Sequence, residues 1–219
     1  MHIRNIYVTL AYKALLIAVC ACGLYIETGL THGRIDWSIF NYYTIISNLI
    51  CLVYFIFAFA ANIVSALKGN GPVTFAPRIK GAVVLCITAT LLIYQLVLAP
   101  TPFSMGTGAS LGNTLVHLVV PLMAILDWLL FDSKGNYKKY DPVLWLVTPA
   151  AYFAYIIVRA QFWGPIRGIA GKYPYGFIDI DHFGLKQVLI NIGEFAFFFL
   201  VIGYAFYFTD KALRVRPLR

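Results

Sequence analysis

Six long apolar runs, separated by short polar turns, dominate this chain. A run of ~20 such residues wound as an α-helix is about 30 Å long, which matches the hydrocarbon layer of a bilayer. No water reaches backbone N–H and C=O groups in that layer, so a helix, which satisfies its own, is one of only two structures able to cross it. The runs cover 7–25, 37–67, 80–98, 111–131, 142–159 and 185–209. Only short loops remain of the 219 residues. The chain therefore reads as one integral membrane domain (1–219), an all-α bundle of about six transmembrane helices. Turn clusters at 68–72, at 99–102 with Gly106 and Gly108, and at 132–136 punctuate the runs. No internal repeat is evident.

Composition agrees. The chain is 61% hydrophobic and 12% charged, against about 25% charged in a soluble domain. Its net charge of +8 would raise nucleic acid in a soluble protein. Here the cations sit at the ends of the runs, and no aromatic-and-basic segment is long enough to bind RNA, so nucleic acid is not an expected partner. Arg4, Lys68, Arg78, Lys80, Lys134, Lys138, Lys139, Lys211, Arg214, Arg216 and Arg219 fall on one side; Arg34, Arg159, Arg167, Lys172 and Lys186 fall on the other. The heavier side is the cytoplasmic one by the positive-inside bias. Both termini are thus expected in the cytoplasm, as an even number of spans requires. The run after Arg4 continues past Cys22 with no small-x-small site before Glu27, so it reads as an uncleaved first helix.

Cys20, Cys22, Cys51 and Cys86 all lie within apolar runs, with no C-x-x-C pair, and read as packing residues. The loop residues His32, Asp36, Asp179, Asp181 and His182 follow no H-E-x-x-H or H-x-x-x-H pattern. No metal and no cofactor is expected.

Polar side chains inside a span are the default functional candidates, because lipid penalises them unless they are paired. Run two carries Asn41, Thr44, Ser47 and Asn48, with Asn41, Thr44 and Asn48 at spacings that share a helix face. Run four carries Asn113 and His117, four apart, and run six carries Gln187, Asn191 and Glu194. Thr44 and His117 are each about 10 Å in from the same side. One polar layer is therefore expected in the outer half of the bundle, with the inner half of runs two, four and six nearly all apolar. A threonine hydroxyl needs a neighbouring base to attack a carbonyl, and His117 is the only histidine within a span. Asn48, Asn113 and Ser47 are candidates to hold an oxyanion or orient the imidazole. Asp127 is ten residues beyond His117 on one helix, about 15 Å away, and is read as a residue of the cytoplasmic interface. Such polar residues also serve as helix–helix glue.

Three segments carry a resemblance: Phe40-Asn-Tyr-Tyr-Thr-Ile-Ile-Ser-Asn48, Asn113-Thr-Leu-Val-His-Leu-Val-Val-Pro121 followed by Asp127-Trp128, and Tyr173-Pro-Tyr-Gly-Phe177. Their order and spacing resemble the androgen-induced gene 1 family, which also contains the androgen-dependent TFPI-regulating protein and many bacterial membrane proteins. The resemblance implies a multi-span intramembrane hydrolase of fatty acid esters of hydroxy fatty acids, or of related lipids, with Thr44 as nucleophile and His117 as base. It implies a lipid substrate drawn from the outer leaflet, and a cap from the outer loop 164–184 with Tyr173 and Tyr175. Asn41, Asn191 and Glu194 are pocket candidates. Ser47-Asn48 and Asp127-Trp128 are similar to the bacterial branch, which implies a bacterial inner membrane as the setting, and Gly176 interrupts the family's Y-P-F element. Hydrolysis and acyl transfer are both open, as is the oligomeric state. Two other readings stand beside it: a solute or ion transporter using His117, Asn191 and Glu194 as a relay, and a non-catalytic lipid-binding scaffold.

Overall fold

In the computed structural model, residues 3–99, 110–169 and 171–214 are described. The turn residues Pro100, Thr101, Pro102, Gly106 and Gly108, and the tail cations Arg216 and Arg219, lie outside them. Every regular element among the described residues is helical. Six helices are long and apolar enough to cross a membrane: α1 (Ile6–Glu27), α2 (Tyr43–Leu67), α3 (Pro77–Leu98), α4 (Leu111–Phe131), α5 (Asp141–Phe162) and α6 (Ile180–Ala212). Large apolar side chains such as Leu15, Phe57, Leu126, Phe197 and Phe208 point outward, the inverse of a soluble protein. The chain is an integral, multi-pass membrane protein.

The starts of the helices follow from local chemistry. Asn5 accepts hydrogen bonds from the Tyr7 and Val8 N–H groups and opens α1. Pro77 begins α3, where its missing N–H costs nothing. Asp179 accepts from the His182 N–H at the head of α6, and Gly184, at φ +75°, kinks that helix just before the apolar run begins.

α1, α2, α3 and α4 pack each on the next, and α4 closes the ring on α1; α5 and α6 lie against the far side of α3. The shared helix α3 is buried along almost its whole length from Lys80 to Leu91. The described chain ends meet the last turn of α4 and the loop that follows it. The Ile3 N–H donates to the Leu130 carbonyl at 2.7 Å, and Arg214 lies against Gly135.

Three expectations need correction. Residues 37–41 are not the start of α2 but a separate 3-10 turn, because Asp36 caps Ser38 and Tyr42 is extended (φ −91°, ψ 132°). Asn41 therefore leaves the face that carries Thr44. Lys80 is not a loop cation, nor is Asp127 an interface residue: both are fully buried near the end of the bundle that carries the termini. Lys13 Nζ lies 2.7 and 2.8 Å from the two Asp127 oxygens; Lys80 bonds Asp127 and reaches Asp132 at 2.7 Å. Two lysines and two aspartates cancel, which removes the penalty of a lone charge in lipid. That half of the bundle is accordingly not all apolar, since Asn62 and Asp210 are buried there too.

Candidate active site

At the opposite end of the bundle, Thr44 stands in the first turn of α2 and His117 in a π-helical turn, Leu115–Val119, of α4. The π-turn has a cause in the sequence. Pro121 has no N–H to give the His117 carbonyl four residues back, and the Val120 N–H bonds the Leu115 carbonyl instead. A second π-turn, Tyr94–Leu98, ends α3 at the same level.

Thr44 Oγ1 and His117 Nε2 are 3.0 Å apart. His117 Nδ1 lies 3.0 Å from the Asn113 carbonyl oxygen. A carbonyl only accepts, so Nδ1 carries the proton, and the lone pair of Nε2 accepts the Thr44 hydroxyl. The backbone of α4 thus sets the tautomer that lets the imidazole act as a base. The Tyr94 ring stacks on the imidazole at 3.9 Å, and Asn113 Nδ2 donates to the Tyr94 hydroxyl at 2.6 Å. Asn113 therefore serves the site twice, its carbonyl orienting His117 and its amide holding the ring that covers it.

The other polar residues divide. Asn48 Nδ2 donates both its protons, to the Thr44 carbonyl at 2.8 Å and the Val116 carbonyl at 3.0 Å. With none left for an oxyanion, it clamps α2 to α4. Ser47 faces α3, sharing a hydrogen bond with Thr90 at 2.7 Å, and does not face His117. Asn41 turns to α5, where its carbonyl accepts from Tyr152 at 2.8 Å. Asn191 Nδ2 donates to the Phe177 carbonyl at 2.7 Å, pinning the outer loop to α6, and accepts from Gln187. Glu194 is exposed and lines a groove of about 210 Å³ between α3 and α6 with Leu92, Leu96 and Phe198. Tyr173 is buried with an unpartnered hydroxyl and borders neither cavity at Thr44.

Tyr175 does reach the site. Its hydroxyl accepts the Tyr43 N–H at 3.1 Å and interacts with Thr44 and Tyr152. Burial pushes its pKa up to about 12, so it stays a proton donor at neutral pH. The ring stacks on Phe177 over the mouth.

Thr44, Tyr94, Leu98 and Tyr175 form a wall between two cavities. One, of about 350 Å³, contains the face of His117 and is lined also by Glu27, at the outer end of α1, Ile39 and Pro174. The other is an apolar slot of about 30 Å³ lined by Tyr43, Phe153, Phe177, Phe195 and Phe199, room for a water or two. Comparison with family models, curated proteins and solved structures yields no match to this chain.

Two residues at this site escaped the sequence reading. Tyr94 was one tyrosine among fifteen, and only its level in α3, shared with His117, distinguishes it. Glu27 looked like the polar end of the first run. The loop acids and histidines are engaged locally: Asp36 on Ser38, His32 on Thr31, Asp179 on His182, and Asp181 on Lys172 at 3.2 Å. Among the described residues no cluster of three His, Cys, Asp or Glu side chains is disposed to hold a metal ion.

Proposed function

We propose that the chain is an intramembrane hydrolase of lipid carboxylic esters, similar in chemistry to the androgen-induced gene 1 family and seated in a bacterial inner membrane with the Thr44 end outward. The observation that carries this reading is the 3.0 Å contact of Thr44 Oγ1 with His117 Nε2 beside a cavity of about 350 Å³. A nucleophile within hydrogen-bond reach of a base whose other nitrogen is oriented is the arrangement acyl transfer needs.

The ester enters from the outer leaflet with its carbonyl carbon at Oγ1. His117 Nε2 takes the hydroxyl proton as the Oγ1–carbon bond forms. The Asn113 carbonyl steadies the resulting imidazolium through Nδ1–H. The carbonyl oxygen, now an oxyanion, takes a hydrogen bond from Tyr175, which stands in for the amide of Asn48. Nε2–H then protonates the departing alcohol as the ester C–O bond breaks, leaving an acyl-threonine. Water, deprotonated by Nε2, attacks the acyl carbon and releases the fatty acid, returning the proton to Thr44. A second lipid alcohol in place of water gives acyl transfer by the same steps.

A fluorophosphonate probe tests the assignment, since it reacts only with an activated hydroxyl. Wild type should label, Thr44→Ala should not, and His117→Ala should label at least ~100-fold more slowly. Equal labelling of wild type and Thr44→Ala would remove the nucleophile.

A further inference from the structure

The hydrolase reading leaves the alcohol half of the ester open, and the cavity mouth carries a charge that bears on it. Glu27, at the last position of α1, lines the same cavity as Thr44 and His117. Its carboxylate meets the start of α4. Ser110 Oγ donates to Oε1 at 3.1 Å, and the same oxygen packs against Gly112, where a Cβ would stand 2.4 Å away.

Among the described residues that line the cavity, Glu27 is the one carrying a full charge at neutral pH. No lysine or arginine lines the cavity. Of the outer cations, Arg159 donates to the Gly164 and Lys172 carbonyls, Lys172 pairs with Asp181, and Arg34 and Arg167 act on Asp36. Residues 100–109, which lead into Ser110, contain no charged side chain in their sequence. A carboxylate in a largely apolar cavity repels a second one and accepts hydrogen bonds from hydroxyls.

We propose that Glu27 restricts this site to lipid esters whose alcohol part is uncharged and hydroxyl-bearing, the acylglycerols being the class, and turns away esters that present a free carboxylate at the mouth. The proposal rests on the hydrolase reading. It departs from the substrate that the family resemblance implies, because an ester of a hydroxy fatty acid carries such a carboxylate. The same repulsion drives out the fatty acid once it is released.

Three substrates isolate the charge: a monoacylglycerol, an oleoyl ester of a hydroxy fatty acid, and the methyl ester of that same compound. Purified full-length protein in nanodiscs should favour the monoacylglycerol and the methyl ester over the free acid by about tenfold or more in kcat/KM. Glu27→Gln, which keeps the shape and removes the charge, should shrink the ratio of methyl ester to free acid to about threefold or less. A wild type that hydrolyses acid and methyl ester equally well, or a ratio that survives Glu27→Gln, would overturn the proposal. If Thr44→Ala hydrolyses as wild type does, or wild type hydrolyses none of the three, it is the hydrolase reading that fails. Retention of the same lipids by native mass spectrometry then reads the selectivity by itself, and equal retention of acid and methyl ester would overturn it.

Discussion

Thr44 and Asn48 stand one helical turn apart and do unlike work. The threonine hydroxyl has its imidazole partner and a cavity in front of it. The asparagine is fully buried and ties two backbone carbonyls on two helices. Thr44→Ala should therefore abolish hydrolysis with a stability change within ~1 kcal/mol, the usual worth of one polar contact between spans. Asn48→Ala strands the Val116 carbonyl and should cost about 1–3 kcal/mol. Thermal melts of the two variants in detergent decide this, and an Asn48→Ala protein that melts like wild type would refute the clamp. The sequence made Thr44 and His117 legible as a pair, because topology and spacing set them at one depth. It could not assign Asn48, because an amide's partners here are main-chain carbonyls, which every residue has.

At the scale of elements, two π-turns surround the site, and the one in α4 follows from a single proline. Without Pro121, the His117 carbonyl regains an N–H partner and the turn can close to ordinary α geometry. Closing it removes one residue's worth of winding, about 100° of rotation for everything on one side of it. Pro121→Ala is thus expected to hold or raise the melting temperature while reducing ester hydrolysis by at least ~10-fold. An active Pro121→Ala enzyme would separate the bulge from the chemistry. The sequence shows Pro121 in its motif plainly, but not which carbonyl loses its partner or how the helix absorbs the loss. Tyr42 is the like case in α2: one extended residue moves Asn41 from the Thr44 face to α5.

The whole molecule has two polar layers at opposite ends of the bundle. Leu16, Cys51, Phe55, Val120 and Ala124, all buried, fill the space between the site and the Lys13–Asp127–Lys80–Asp132 cluster. That filling favours a site reached from one face. The cluster holds α1, α3 and α4 together. Asp127→Asn leaves two buried lysines facing Asp132 alone and should destabilise the fold by about 3–5 kcal/mol, read as a fall in melting temperature and yield. Adding Lys13→Met to Asp127→Asn should recover part of that loss, and a single variant as stable as wild type would refute the role. The six spans were readable from the chain because the bilayer imposes one length and one polarity on all of them. The pairing of Lys13 with Asp127, separated by 114 positions, was not; nothing local to either residue names its partner.

That separation has a consequence for how the protein is made. α1 leaves the ribosome with an ammonium group partway along it, long before the carboxylate that neutralises that charge has been synthesised. An unpaired lysine within a span costs up to ~2.5–3.5 kcal/mol at the helix centre on insertion scales, and less toward an end where it can snorkel. The first helix therefore carries its charge uncompensated until the fourth arrives to pair with it.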